Sequence, residues 1–317
     1  MKVIEHLTKA KDTLISFEII PPKRGGDIHS LLQVVDDIAK FNPPFIDITS
    51  HAAEVTYEET PQGIKRKVKR KRPGTLGICA LIQNKYNVDA VPHVLCNGFT
   101  REETEDFLID LQYLGIENVL ALRGEENSYQ KPLLNGRSAN QYAVDLVRQI
   151  SNMNKGIYLE EELIDARPSN FCIGVAAYPE KHISAPNLDF DIKQLKKKIE
   201  AGADYVVTQM FYDNRHYFNF LEKCRATGIQ VPILPGLKIL TSKKQLTSIP
   251  ANFHISLPPE LTDPVLEAKD DEEVLEIGVD WAYNQVTELI EKKVPAIHFY
   301  IMQNSKPIRL LMKKLEF

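Results

Sequence analysis

The chain has 317 residues, 43% of them hydrophobic and 26% charged, with a formal net charge of −4. Those values belong to a folded globular protein and exclude collagen-like and disordered classes. The acidic balance argues against general affinity for nucleic acid, and no apolar run approaches the roughly 20 residues that a membrane helix needs. The cysteines at 79, 96, 172 and 224 form no C-x-x-C pair. Neither a zinc site nor a disulfide framework is indicated, and buried thiols are expected.

In chain order, MKVIEHLTKAKD (1–12) reads as a short helical segment without a signal-peptide core. A cytoplasmic protein with no membrane or nucleic-acid partner is therefore expected. LISFEII at 14–20 is β-favouring, with apolar residues on both alternating faces, as in a strand covered on both sides. Glu18 is out of place there. Burying a carboxylate is costly unless it is paired or protonated, and Pro21-Pro22 end the ladder just beyond it. A helix over 28–41 and a strand over 45–49 follow, then an insertion at 54–74 that carries KRKVKRKR at 65–72. Flanked by Pro61, Gly63, Pro73 and Gly74, this run reads as a solvated loop or helix face. A nucleic-acid or localisation patch is the rival reading.

The pattern then predicts helices over 75–87, 101–114 and 138–152, separated by strands at 89–96 and 117–123. Thr100 and Glu103 form a capping box for the second of these helices. After an insertion at 154–168 come strands at 171–177, 204–210, 231–236 and 296–302. Helices at 190–201, 214–227, 241–248 and 271–293 lie between them, with 250–270 irregular. Gly115, Gly202 and Gly228 end helices just before strands, as left-handed caps do. Eight alternating units predict an α/β fold, a closed parallel (β/α)8 TIM barrel, as one domain with loop insertions. A doubly wound sheet is the runner-up, but no G-x-G-x-x-G follows the first strand.

In such a barrel the chemistry sits at the C-terminal ends of the strands. The polar residues there are Glu18, Thr49, His51, His93, Arg123, Glu125, Tyr178, His182, Gln209, His298, Tyr300 and Gln303. None has metal-ligand spacing, and no nucleophile motif is present. General acid–base chemistry with a bound cofactor is the leading class.

SFEIIPPK, PHVLC, ALRGE, VAAYPEKH, AGADYVVTQMF, ILPGL and HFY occur in that order at these strand ends. Together they resemble the catalytic domain of the methylenetetrahydrofolate reductase family. The resemblance implies hydride transfer from NADH or NADPH through FAD to 5,10-methylenetetrahydrofolate, giving 5-methyltetrahydrofolate for methionine synthesis. It makes Glu18 the general acid, and apolar burial is expected to raise its pKa so that a proton is available. It assigns Thr49, His93, Arg123, Tyr142, Ala143, Tyr178, His182, Asp191, Lys197 and Lys198 to FAD, and Gln209, Gln245 and Glu125 to the folate. Glu125 stands where the family usually has Asp, and the eighth strand, HFYIMQNS, lacks an Arg found in family members. A homo-oligomer is expected by analogy. The readings from other classes are a pterin-binding barrel without redox activity, such as a methyl-transfer subunit, and a nucleic-acid-associated protein using residues 65–72.

Overall fold

The computed structural model describes residues 1–124, 131–134, 136–163 and 165–316. The elements begin with α1 (Val3–Lys9), β1 (Leu14–Ile19), α2 (Ile28–Ala39), β2 (Phe45–Ile48), β3 (Glu54–Thr60), β4 (Gly63–Lys69) and α3 (Leu76–Tyr86). They continue with β5 (Asp89–Leu95), α4 (Arg101–Tyr113), β6 (Asn118–Leu122), α5 (Ala143–Met153), β7 (Cys172–Ala177), α6 (Leu188–Glu200) and β8 (Tyr205–Met210). The last are α7 (Asn214–Ala226), β9 (Ile233–Leu237), α8 (Gln245–Phe253), α9 (Pro259–Glu267), α10 (Asp271–Glu291), β10 (Ala296–Met302) and α11 (Lys306–Lys314). Eight strands close into a parallel barrel in the order β1-β10-β9-β8-β7-β6-β5-β2, as the alternating pattern predicts.

Strand parity builds the two layers. Ile15, Phe17 and Ile19 of β1, Ile46 and Ile48 of β2, and Ile297 and Phe299 of β10 join the large apolar layer between strands and helices. The alternate residues point into the barrel. Towards the N-terminal ends of the strands that interior is filled by Phe45, Val91, Leu120, Cys172, Tyr205 and Leu234. Gly174 leaves room for the Tyr205 ring, which any Cβ there would meet.

Four elements differ from the sequence reading. Residues 54–69 form an antiparallel β-hairpin, β3–β4, rather than a loop or helix face. Thr60 and Gly63 close its turn around Pro61-Gln62, with Gly63 at φ +120°. Helix α5 starts at Ala143 instead of near 138. The preceding residues are tied across the start of α4: the Arg101 amide donates to the Ser138 carbonyl, and the Ser138 amide to Glu102. The irregular stretch contains α9, which packs Leu261 and Val265 with Met210, Tyr212 and Leu240 in a satellite core. Helix α11 is an unforeseen addition, burying Ile308, Leu311 and Met312 in the outer layer.

Helix α1 closes the N-terminal end of the barrel. Val3 is fully buried among the interior side chains, and its amide donates to Asn118 Oδ1 at 2.8 Å. The N-terminal ammonium and His6 Nε2 each lie 2.7 Å from the Asp89 carboxylate. Val3→Ala should therefore cost about 2 kcal/mol in urea denaturation, from two lost methyl groups and the void they leave. An unchanged midpoint would mean that α1 does not contribute to barrel stability.

Candidate active site

At the C-terminal end of the barrel the interior turns from apolar to ionisable. β10, β1, β2 and β5 are consecutive neighbours, and their inward residues meet. Register sets Ser16 beside His298 and Glu18 beside Asp47. Glu18 Oε2 lies 3.3 Å from His93 Nε2 and 3.8 Å from His298 Nε2, and Asp47 Oδ2 lies 3.8 Å from His93 Nε2. Ser16 Oγ is 3.0 Å from His298 Nδ1, fixing that ring from behind. All five side chains are buried.

This surrounding reverses the expected protonation of Glu18. Burial does push its carboxyl upward, but the charge of His93 and contacts with His298 and His93 outweigh it, taking the pKa to about 2. Burial pulls the His93 imidazole down, while Glu18 and Asp47 overcome that and raise it to about 9. The pair titrates as one unit that holds a single proton between those limits, with the proton on His93 at rest. The neighbours of Glu18 in sequence are apolar, whereas its neighbours in space are histidines.

Tyr300 ties this end of the barrel together. Its hydroxyl donates to the Thr208 carbonyl at 2.6 Å, passing over Gly236, whose amide donates to Thr208 Oγ1 at 2.9 Å. A Cβ at Gly236 would strike both Thr208 and the Tyr300 ring, so only glycine fits. Lys238, at the end of β9, is held between water and the barrel, with Nζ 3.4 Å from the Tyr300 carbonyl. Burial lowers its pKa, and Glu18 acts in the opposite direction.

The remaining sequence-derived candidates fall on an arc of the same rim. Thr49 follows β2, and its Oγ1 is buried without a hydrogen-bond partner, as is His51 Nδ1. Burial, helped by Arg72, holds His51 neutral with a pKa of about 4. The Arg123 guanidinium lies 5.2 Å over the Tyr142 ring, beside Ala143 at the start of α5. Tyr178 and His182 meet edge to face at 4.6 Å, and the His182 amide donates to Asp191 at 2.8 Å. Lys198 reaches under the end of β7 to the Ala176 carbonyl at 2.5 Å, its pKa drawn down to about 8 by burial, with Asp191 opposing. Lys197 does not converge with it: one residue further round α6, it is exposed and bonds Gln194. Gln209, the penultimate residue of β8, accepts from the Met210 amide through Oε1. Gln245 Oε1 accepts from the Thr241 amide at 2.6 Å, so half of its amide closes the turn after β9. Glu125 lies outside the described residues.

These residues suit FAD. Orphaned buried polar atoms at Thr49 and His51, an aromatic pair at Tyr178 and His182, and a buried Lys198 ammonium near Asp191 fit a large polar group carrying phosphates.

A family profile for methylenetetrahydrofolate reductase matches residues 2–316. The chain belongs to the methylenetetrahydrofolate reductase family. It is 32% identical over 302 residues to methylenetetrahydrofolate reductase 1 of Schizosaccharomyces pombe, covering 95% of this chain and 45% of that protein. It is 28% identical to 5,10-methylenetetrahydrofolate reductase of Pectobacterium carotovorum, covering 92% of this chain and 86% of that protein. The chain spans about half the length of the eukaryotic relatives it matches first. Among solved structures, a Clostridium thermocellum protein described as binding two copies of 5-methyl-5,6,7,8-tetrahydrofolic acid aligns with TM-score 0.61. It covers 99% of each chain at 14% identity, a likeness of fold.

Sequence reasoning missed Ser16, Asp47 and Lys238. The first two had a signal: Ser16 shares Glu18's face at i−2, and Asp47 in FIDI is a second acid inside an apolar strand. Lys238 had only its place after ILPGL.

The pair sets a stability window. His93 has a raised folded pKa, so its contribution is complete below the unfolded value near 6.5 and is lost as pH rises through about 9. Glu18 has a lowered one, so its contribution is complete above the unfolded value near 4.5 and is lost as pH falls through about 2. His93→Asn should cost about 3 kcal/mol at pH 7 by stranding a buried carboxylate, and less at pH 5, where Glu18 can take up a proton. Urea titrations at the two pH values measure this. A variant as stable as the parent at pH 7 would show that the two groups are not coupled.

Proposed function

We propose that the chain reduces 5,10-methylenetetrahydrofolate to 5-methyltetrahydrofolate, with NADH or NADPH as electron source and FAD bound on the rim. The product's methyl group would then serve methionine synthesis. Family membership supports the reaction, and the observation that carries the assignment is Glu18 held between two histidines at the catalytic end of the barrel. Relatives are named for either nucleotide, NADH in Arabidopsis thaliana and NADPH in Caenorhabditis elegans, so the reading extends to both.

FAD would be held by Thr49, His93, Arg123, Tyr142, Ala143, Tyr178, His182, Asp191 and Lys198. The chemistry it supplies when bound is carriage of a hydride between nicotinamide and folate. The protein's own part is to deliver a proton. Opening the five-membered ring of the substrate needs protonation of a ring nitrogen, which leaves an electrophilic iminium as the hydride acceptor. Glu18 is ionised at rest, so its proton comes from His93 across the 3.3 Å contact when the substrate nitrogen approaches. Entry of substrate removes water and favours the neutral form of the pair, moving the proton toward the carboxyl. His298, oriented by Ser16, is the second imidazole able to restore it. Gln209 and the –NH₂ of Gln245 would read the pterin ring, which presents donors and acceptors side by side.

Glu18→Gln separates the steps. Reduction of bound flavin by NADH or NADPH should stay near wild type, while its reoxidation by methylenetetrahydrofolate should fall by about 10² or more. Stopped-flow absorbance follows both steps in one preparation. Equal losses in the two would make Glu18 a structural acid, and a purified protein without a flavin spectrum would favour a pterin-binding barrel that performs no redox chemistry.

A further inference from the structure

The reductase reading leaves Lys238 without a task. The residue stands just past β9, four positions after Leu234, which fills the barrel interior, and two after Gly236, over which the Tyr300 side chain passes. Strand alternation carries that inward face on to Lys238. Because β9 lies between β8 and β10, the lysine stands between Gln209 on one side and Tyr300 on the other. Its ammonium is near enough to Glu18 to be acted on by that charge, yet the two form no ion pair.

The ammonium is poorly satisfied by the protein. Nζ donates to the Tyr300 carbonyl at 3.4 Å, the long limit of a hydrogen bond, and meets no carboxylate among the described residues. An ammonium has three donors and no acceptor, so two of its N–H groups have no protein partner among those residues. By contrast, Lys223 and Lys306 each meet a carboxylate at 2.7 Å. Drawing a charge out of water without pairing it costs stability, and the lowered pKa of Lys238 reflects that cost. Folding gains nothing from a lysine here, but a ligand that offers an acceptor would.

We infer that Lys238 is a specificity residue that touches the folate, its ammonium donating to the lactam carbonyl oxygen of the pterin ring. The inference rests on the folate reading above. Gln209, assigned to the same ring, ends the adjoining strand, and neighbouring strands are only about 4.8 Å apart. A side chain that can only donate must avoid the ring's N–H and amino groups, and among the ring's acceptors the lactam oxygen carries the most negative charge. A ring bound the other way round would set its amino group against the ammonium, donor against donor, so Lys238 also fixes the orientation of the ring.

Calorimetric titration of the whole protein with 5-methyltetrahydrofolate and with its 4-amino-4-deoxy counterpart, in which an amino group replaces the lactam oxygen, tests this. The wild type should bind 5-methyltetrahydrofolate about 30-fold more tightly, a charge-assisted hydrogen bond being exchanged for a clash of donors. Lys238→Met keeps an unbranched apolar side chain and removes the charge, a change that buried sites tolerate. It should bring the ratio to about threefold or less, while flavin reduction by NADH or NADPH and the unfolding midpoint stay at wild-type values. Lys238→Arg, which also only donates, should keep the preference. Equal binding of the two compounds by the wild type overturns the inference without any variant and leaves the folate reading standing. A ratio that survives Lys238→Met overturns it too, and a shifted pH dependence of the folate step in that variant would give the charge to Glu18 instead of the ring. Failure of 5-methyltetrahydrofolate to bind the wild type sinks the folate reading and this inference together.

Discussion

The attraction between Glu18 and His93 inside the barrel is the constraint on which the catalytic end depends. Two buried ions repay their desolvation only when close and well supported, and replacing such a pair with apolar residues is often neutral for stability. Its presence therefore points to use rather than to folding. The supports are specific: Asp47 adds a second negative charge near His93, and Ser16 fixes the His298 ring on the other side of the carboxylate.

Barrel closure makes that arrangement possible. β1 and β10 are the first and last strands of the barrel in sequence, yet they pair along their whole length and bring Ser16 to His298 across 282 positions of chain. Because side chains alternate, one set of strands builds both an apolar layer against the helices and a polar cluster within. The two ends of the interior are then treated differently. Helix α1 seals the N-terminal end with Val3, and the loops at the C-terminal end leave room for ligands.

The rim is unevenly built. One arc, from Arg123 to Lys198, offers aromatic and cationic groups at strand ends and helix starts. The adjoining arc, at β2 and β5, carries the hairpin, whose charges stand on a strand and so acquire a regular spacing that a loop would lack. Tyr300 links β10 with β8 over Gly236.

Eight strands, their helices and the catalytic end were legible in the sequence, because local periodicity and capping glycines are short-range properties. Glu18 was legible for the same reason, as a carboxylate amid Phe17, Ile19 and Ile20. Its protonation was not. That depends on His93 and His298, which are remote in the chain and brought near only by barrel order, so an apolar sequence context was mistaken for an apolar environment. The hairpin was hidden because seven cations mask the period-two signal of a strand, leaving the Thr60–Gly63 turn as its only local mark. Lys197 and Lys198 are equivalent in sequence, but the 100° turn of a helix puts one in water and the other beneath β7. Sequence alone determined which elements form and which acid is anomalous. Tertiary structure decided which groups share a proton and which cations face the site, since both depend on distances between residues that the chain keeps far apart.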